Sequence, residues 1–177
     1  GFAVATNAGI RAACGEWLFL LNNDVTLAPD CLERLLAAAE AQHADMAAPV
    51  IFWQENPDVL YSAGDRIRLN GRPEAIGFRR ARKDFALPSR IFGVGAAAGL
   101  YHRRIFDAAG LLDEKFVAYF EDSDLCFRAR LAGFTAALAA DACAWHVGSA
   151  TLRGKTWWRS AQCFRNHALL VIKNMPI

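Results

Sequence analysis

Cysteine pairs and long apolar runs are both missing from this sequence. Its five cysteines stand apart, with no CxxC pair and an odd total, which fits neither a zinc site nor a disulfide framework. We therefore expect a reducing, cytosolic compartment. No apolar stretch reaches the roughly 20 residues that cross a bilayer. The N-terminus has no charged segment followed by an apolar one, so we expect neither a signal peptide nor a membrane span.

An excess of positive charge is missing as well. The chain has 20 Lys and Arg against 18 Asp and Glu, a formal net charge of +2. Proteins that bind nucleic acid need a basic surface to neutralise phosphates, so we expect no nucleic-acid partner. A chain of 177 residues can bury roughly 70% of the surface that it exposes when unfolded, and we expect residues 1–177 to form a single domain.

Apolar runs that alternate with helical patterns predict an α/β fold. The run at 16–21 is apolar along nearly its whole length, as in a central parallel strand covered by helices on both faces. Asn7 and Gly15 are expected to cap the first helix, and Asp30 with Glu33 to form a capping box on the second. The predicted strands are 16–21, 48–53, 91–101 and 139–145, and the predicted helices are 8–14, 30–42, 103–109, 121–132 and 156–174.

Two segments have special compositions. The segment 64–89 is rich in Gly, Arg and Pro and has no regular period. It is either a solvated loop or irregular hairpin, or a positive surface for an anionic ligand. The segment 91–101 has the glycine- and alanine-rich centre GVGAAAG, where absent side chains let another group approach the backbone.

Three polar side chains, Asn22, Asn23 and Asp24, follow directly after the first apolar strand. Ligands of open α/β sheets bind beyond the carboxyl ends of the strands, so the triplet lies where a ligand is expected. Oxygen ligands that include one carboxylate suit Mg²⁺ or Mn²⁺, which take their other ligands from water and substrate phosphates. The alternative is an Asx turn that leads into the helix at Asp30.

A second group of polar residues begins a helix within FVAYFEDSDLCFRARLAGF. Glu121, Asp122 and Asp124 are either helix-capping carboxylates, favoured by the helix dipole, or a cluster whose mutual repulsion raises the proton affinity of one member and suits it to general-base work. Arg128 lies four residues after Asp124 and is expected to pair with it. Asp122 is then the carboxylate without such an ion-pair partner, and the better candidate for the general base.

A third signal is His146, at the end of the strand predicted at 139–145. A structural histidine is the alternative here. Three weak signals at three strand or loop ends are expected to face one crevice, and together they indicate a functional site more strongly than any one alone.

The order of four segments carries a family resemblance. GFAVATNAGIRAACGEWLFLLNNDV, GLLDEKFVAYFEDSDLCFRARLAGF, AWHVGSAT and RNHALLVIKN together resemble the bacterial inverting glycosyltransferases of family 2, which use nucleotide sugars. The sequence is most similar to rhamnosyltransferases and related transferases of cell-envelope polysaccharide. The resemblance implies a GT-A-type, Rossmann-like fold with a mostly parallel central sheet flanked by helices.

The resemblance also implies roles for individual residues. The triplet stands at the family's DxD position, so that Asp24 would be close to the metal and the diphosphate, while Asn22 stands where the family often has the first Asp. Asp122, in the ED motif with Glu121, would be the catalytic base. His146 would add a metal or diphosphate contact, and the implied cofactor is Mg²⁺ or Mn²⁺. The implied nucleotide contacts are Asn7 and Arg11.

Similar proteins begin about 60 to 80 residues before the GFAxAxN segment, with a strand, a nucleotide-base loop and a further strand. We therefore expect a domain that is incomplete at its N-terminus and lacks the first strands. The implied partners are a nucleotide-diphosphate sugar as donor and a glycan or lipid-linked molecule as acceptor. The expected location is the cytoplasm, with possible peripheral contact at the inner face of the cytoplasmic membrane.

The tail at 155–173 is the basis of the membrane expectation, because aromatic, aliphatic and basic residues alternate in it as in helices at the lipid headgroup level. The alternative is an ordinary last helix that covers the sheet. The apolar members are Trp157, Trp158, Phe164, Leu169 and Val171, and the basic members are Lys155, Arg159, Arg165 and Lys173.

Three other functions stay open. One is a non-catalytic remnant that binds a sugar or a partner protein. Another is a nucleotidyltransferase, which would need a glycine-rich phosphate loop with lysine, and this sequence has none. The third is a hydrolase that uses Glu121 and Asp122. Neighbouring side chains suit that chemistry poorly, because hydrolytic carboxylates lie roughly 5 to 9 Å apart across the substrate.

Overall fold

A mixed six-stranded sheet forms the centre of the computed structural model, which describes residues 1–148 and 156–175. The strand order is β1-β7-β3-β8-β2, with β4 paired to β3, and β5 and β6 form a separate hairpin. The strands are β1 Trp17–Leu21, β2 Val25–Leu27, β3 Met46–Trp53, β4 Asn56–Ser62, β5 Asp65–Ile67, β6 Pro73–Ala75, β7 Ala98–His102 and β8 Ala136–His146.

Five α-helices accompany the sheet. They are α1 Phe2–Ala12, α2 Cys31–Ala41, α3 Arg103–Ala109, α4 Glu121–Leu131 and α5 Thr156–Asn174, and short 3₁₀ turns occupy Arg82–Asp84 and Glu114–Phe116. Within the described residues, no helix combines the length and apolar character needed to cross a membrane.

The sheet confirms the expected α/β fold and its flanking helices. It contains both parallel and antiparallel pairs of strands. β3 and β8 pair in parallel, while β7 lies antiparallel between β1 and β3. β1, β3 and β8 therefore run in one direction. β1 lies at the edge of the described sheet rather than at its centre. The apolar run of β1 predicted burial only in part, because Leu18 and Leu20 are buried whereas Leu21 is 46% exposed. The run contained no information about strand direction or neighbours.

The hydrophobic core lies on both faces of the sheet. On one face α2 packs through Leu35 and Ala39 against Leu100 and Ala142. On the other face α1, α3 and α4 cover β3 and β7, and the largest buried side chains include Met46, Val50, Leu60, Tyr101, Ile105 and Leu125. Both faces are covered, as in layered α/β domains.

Three predicted helix caps, Asn7, Gly15 and the Asp30–Glu33 capping box, are wrong. α1 begins at Phe2, not after Asn7, and ends at Ala12 rather than at Gly15. Asn7 is buried inside the helix, where its amide bonds to Leu112. Asp30 precedes α2 but makes no side-chain cap, because its carboxylate accepts a hydrogen bond from Arg34 Nε at 2.7 Å.

The glycine- and alanine-rich segment is irregular over 91–97, and only its end forms β7. Its glycines are required by close neighbours, as predicted. A Cβ added to Gly93 would lie 2.7 Å from Cys126 Sγ, and one added to Gly99 would lie 2.9 Å from Gly95 O. The segment 64–89 contains the β5–β6 hairpin and one 3₁₀ turn, which matches the irregular-hairpin alternative.

The loop before α4 has an unusual backbone. Val117, Tyr119 and Phe120 adopt positive φ angles of 64°, 71° and 71°, a left-handed conformation that costs a non-glycine residue about 1 kcal/mol or more. Asn166 of α5 is fully buried and stabilises this loop. Its Nδ2 donates to the carbonyls of Phe116, Ala118 and Tyr119 at 2.8, 2.8 and 2.6 Å.

Replacement of Asn166 is therefore expected to destabilise the protein. Asn166→Ala removes the side-chain amide that donates to the Phe116, Ala118 and Tyr119 carbonyls, of which the Phe116 carbonyl keeps a donor in Gln162. We expect the free energy of unfolding to fall by roughly 2 to 5 kcal/mol. Urea unfolding followed by tryptophan fluorescence measures the change. Asn56→Ala, at an exposed position, is the matched control. A loss below about 0.5 kcal/mol for Asn166→Ala, the size of an ordinary surface substitution, would contradict this role.

Candidate active site

Asn22, Asn23 and Asp24 form the turn between β1 and β2. The Asn22 amide donates to Ala97 O at 2.9 Å, which ties the turn to the irregular segment before β7. The side chains of Asn22 and Asn23 make no hydrogen bond within the described part of the chain. The Asx-turn alternative is therefore not observed, and the chain continues into β2 before it reaches Asp30.

Asp24 and His146 lie in contact. Asp24 Oδ1 is 3.0 Å from His146 Nε2, although the two residues are far apart in the sequence. The β2–β8 ladder brings them together, because it places Val25 opposite His146. β2 was not predicted from the sequence, so its register with β8 could not be foreseen.

His146 is buried, with 4% of its surface exposed, and the ring of Tyr61 packs edge-on against it at 4.4 Å between centroids. Burial lowers the pKa of His146 and outweighs the opposing effect of Asp24. The imidazole is therefore neutral at neutral pH, the form that binds metals. Its Nδ1 is buried and has no partner among residues 1–148 and 156–175.

These residues fit a divalent metal in part. Asp24 and His146 offer one carboxylate and one neutral imidazole, which are common metal ligands. No group of three His, Cys, Asp or Glu side chains that could hold a metal occurs in the described residues. A metal here would thus need further ligands from water and a bound diphosphate, as Mg²⁺ commonly does.

Asp122 lies at the start of α4, and two backbone amides fix its carboxylate. Oδ2 accepts from Ala96 N at 3.0 Å, and Oδ1 accepts from Ser123 N at 2.7 Å. Because Ala96 precedes Ala97, to which Asn22 is bonded, one short backbone segment lies between Asp122 and the Asn22–Asp24 turn. The structure thus places Asp122 and the Asn22–Asp24 turn, which carries the contact with His146, on either side of the same backbone segment.

The two other acidic residues at the start of α4 have different partners from Asp122. Asp124 is fully buried and pairs with Arg128 at 2.9 Å and with Lys173 at 3.0 Å, so the predicted Asp124–Arg128 pair is confirmed. Glu121 is only 5% exposed, and its Oε2 lacks a partner in the described structure. Burial and then the charge of Asp122 raise the pKa of Glu121 to about 8. Glu121 is therefore protonated at neutral pH.

Sequence reasoning missed Asp65, at the start of β5. Its backbone is anchored to the segment before β7, with Asp65 N donating to Gly93 O at 3.0 Å and Asp65 O accepting from Phe92 N at 2.8 Å. Burial and then Asp122 raise the pKa of Asp65 well above its ordinary value. The residue lies in the arginine-rich segment that has no regular period, so no pattern distinguished it from a loop residue.

Asn7 and Arg11 do not contact the other candidate residues. The Asn7 amide donates to Leu112 O at 2.9 Å and to Glu114 Oε1 at 3.0 Å, and it accepts from Leu112 N at 3.0 Å. Arg11 is exposed in the last turn of α1. Their role at a nucleotide stays a prediction. Ser149, Ala150 and Thr151 of the fourth motif, and Lys155 of the tail, lie outside the described residues.

Comparison with known sequences gives a family and two relatives. The family model described as "Glycosyl transferase family 2" matches residues 1–110. The uncharacterized protein y4gI of Sinorhizobium fredii is 29% identical over 144 residues, which are 75% of this chain and 15% of that protein. The succinoglycan biosynthesis protein ExoO of Rhizobium meliloti is 37% identical over 70 residues, 40% of this chain and 18% of that protein.

Solved structures of similar fold include GalNAc-T7 and TarS. GalNAc-T7, solved with UDP, GalNAc and Mn²⁺, has a TM-score of 0.61 at 15% identity, covering 82% of this chain and 30% of that one. TarS 1-349 of S. aureus has a TM-score of 0.58 at 13% identity, covering all of this chain and 47% of that one. The chain thus spans less than half the length of these relatives and structures.

The protonated state of Glu121 predicts how the stability of the protein changes with pH. Between its ordinary pKa of 4.5 and about 8, the folded chain holds a proton on Glu121 that the unfolded chain releases, so stability falls as pH rises. Glu121→Gln removes this titration. We expect the stability of Glu121→Gln relative to the natural protein to increase by about 2 kcal/mol or more between roughly pH 5 and pH 8.

Urea unfolding at three pH values across this window measures the difference. Glu33→Gln, at an exposed position in the first turn of α2, is the matched control and should show a much smaller pH-dependent difference. A Glu121→Gln difference that stays constant with pH would contradict the protonated state assigned to Glu121.

Proposed function

Because the chain belongs to glycosyl transferase family 2, we propose that it transfers a sugar from a nucleotide-diphosphate donor to a glycan or lipid-linked acceptor with inversion at the anomeric carbon. One observation supports this most directly. The Asp24–His146 pair and the anchored carboxylate of Asp122 are joined by the backbone of Ala96 and Ala97. The Asp24–His146 pair is suited to bind a diphosphate, and the Asp122 carboxylate is suited to act as a general base.

The proposed reaction is a single displacement. Asp122 removes the proton of an acceptor hydroxyl while that oxygen attacks the anomeric carbon, and the bond from this carbon to the diphosphate oxygen breaks. No covalent enzyme intermediate is needed. The amides of Ala96 and Ser123 hold the Asp122 carboxylate in position. Glu121 is protonated and buried, so it is not the base.

The diphosphate end of the site would bind a divalent metal through Asp24 and His146. The metal that Asp24 and His146 would hold would supply positive charge next to the leaving diphosphate. The side-chain amides of Asn22 and Asn23 make no hydrogen bond in the described structure and would donate to phosphate oxygens. The presence of Mn²⁺ in the GalNAc-T7 structure and the neutral imidazole of His146 both support this proposal.

The biological setting is proposed from similarity. ExoO is named for succinoglycan biosynthesis, which supports a role for this chain in the synthesis of cell-envelope or exported polysaccharide. We propose that the chain is a rhamnosyltransferase-like enzyme on the strength of the four sequence motifs, and that Arg11 is a nucleotide contact because its side chain is exposed on α1.

Replacement of the proposed base is the most direct test. Asp122→Asn keeps the size of the side chain and removes its basicity, and we expect turnover to fall by roughly two to four powers of ten with little change in donor affinity. The assay is release of nucleoside diphosphate from a panel of UDP-, GDP- and dTDP-sugars with Mn²⁺.

Asp107→Asn, at an exposed position on α3, is the matched control and should keep normal turnover. Near-normal turnover of Asp122→Asn would show that Asp122 is not the base. Calorimetric binding of nucleoside diphosphate and Mn²⁺ without any turnover in the natural protein would instead support a non-catalytic binding function.

We also propose that α5 contacts a membrane surface. Its buried side includes Asn166 and Leu170, as expected for a helix that packs on the domain, whereas Trp157 and Phe164 are 82% and 80% exposed. Arg165 is also exposed on this helix. Exposed aromatic residues with a nearby cation are typical of helices at the headgroup level.

Vesicle co-sedimentation tests this contact. We expect the protein to sediment with anionic vesicles at low salt and less at high salt, because ions screen the attraction. The double variant Trp157→Ala, Phe164→Ala should lose most of this binding, whereas Leu131→Ala, which removes an exposed apolar side chain from α4, should keep it. Failure of the natural protein to sediment at low salt would exclude the membrane role.

A further inference from the structure

Asp65 and Asp122 face the same small space, which exists because residue 95 is glycine. A Cβ added to Gly95 would lie 3.4 Å from Asp65 Oδ2 and 3.7 Å from Asp122 Oδ2. The two carboxyl groups come from different elements, β5 and α4. They approach the backbone of Gly95 closely enough for one small polar molecule to contact both.

The two carboxyl groups differ in their partners. Asp122 accepts two backbone hydrogen bonds. The side chain of Asp65 makes no hydrogen bond or ion pair with any residue that the structure describes. Asp65 is partly exposed, so a ligand can reach its carboxyl group. The hydrogen-bonding capacity that Asp65 leaves unused among the described residues points to a ligand with hydroxyl groups.

The position of Asp65 is fixed by backbone contacts rather than by its side chain. Its N–H and C=O bond to Gly93 and Phe92, and Gly93 in turn packs directly against Cys126 of α4. The same helix carries Asp122. The relative placement of the two carboxyl groups is thus built into the contact between the β5 region and α4.

We propose that Asp65 is an acceptor-specificity residue, which binds the hydroxyl group adjacent to the one that Asp122 deprotonates. This inference rests on the proposed transferase function. Neighbouring hydroxyls on a sugar ring lie about 3 Å apart, a normal hydrogen-bonding separation, so one ring can reach both carboxyl groups. The acceptor is therefore a sugar with a vicinal diol at its reacting end.

The charge of this part of the site supports a neutral acceptor terminus. Asp122 must carry its negative charge when the acceptor binds, because it accepts the proton of the attacking hydroxyl. A phosphate or carboxylate next to that hydroxyl would be repelled by the Asp122 carboxylate. Burial and Asp122 raise the pKa of Asp65, so that Asp65 can donate a hydrogen bond to a hydroxyl oxygen as well as accept one.

The experiment compares protein variants and acceptor variants together. The donors are UDP-, GDP- and dTDP-sugars, and the acceptors are methyl glycosides of glucose, galactose and mannose with their monodeoxy analogues. For the natural protein, we expect removal of one hydroxyl next to the reacting one to lower kcat/KM roughly 10- to 100-fold, the effect of losing a hydrogen bond to a carboxyl group. For Asp65→Ala we expect kcat/KM to be nearly the same for the parent acceptor and for its deoxy analogue.

Asp65→Asn keeps the shape of the side chain and provides the test if Asp65→Ala does not fold. Its ratio of kcat/KM between parent and deoxy acceptors should lie between those of the natural protein and Asp65→Ala. Asp58→Ala, which removes an exposed carboxylate from β4, is the matched control and should discriminate like the natural protein. The ratio of transfer to donor hydrolysis should also fall in Asp65→Ala, because water has no second hydroxyl to bind.

Two results would overturn the inference, and they are distinguishable. If Asp65→Ala and Asp65→Asn discriminate between parent and deoxy acceptors as well as the natural protein does, Asp65 has no role in acceptor selection while the transferase function stands. If the natural protein neither hydrolyses any donor nor transfers any sugar, the proposed function fails and the role of Asp65 fails with it.

Discussion

The hydrogen bonds from the Asn166 amide are the constraint on which the arrangement of the site depends. One side chain donates to three carbonyls of a loop that contains three left-handed non-glycine residues. This loop leads directly into α4, so it sets where Glu121 and Asp122 begin the helix. The position of the proposed base therefore depends on a helix that is far away in the sequence, and not only on the local preferences of the ED motif.

The irregular segment before β7 connects the parts of the site. Its glycines admit Cys126 and the Asp65 and Asp122 carboxyl groups to the backbone, while Ala96 and Ala97 bond to Asp122 and Asn22. A Cβ at Gly93 would lie 2.6 Å from the Cβ of Cys126 and would push α4 away from this segment. A segment with little side-chain volume thus lets distant elements come together, and its irregular backbone leaves amides available for the site.

Much of the fold and part of the site followed from the sequence, since α3, α4 and the pairing of Arg128 with Asp124 depend on local spacing. The Asp24–His146 contact depends on the register between β2 and β8, which three residues of β2 do not specify. Asn7 resembled a helix cap because local preference alone cannot show a partner such as Leu112. Asp65 was missed because its importance arises only from burial beside Asp122.

The position of Asn166 near the end of the described chain has a consequence for biosynthesis. A ribosome completes the strands, α4 and the Asp24–His146 pair before Asn166 leaves the exit tunnel, since domains fold as their residues emerge from the N-terminal side. The nascent chain can therefore form its sheet while the loop before Asp122 still lacks the hydrogen bonds from Asn166. Docking of α5 orders this loop only after the strands and α4 have been made, so a chain that has not yet reached α5 lacks an ordered candidate site.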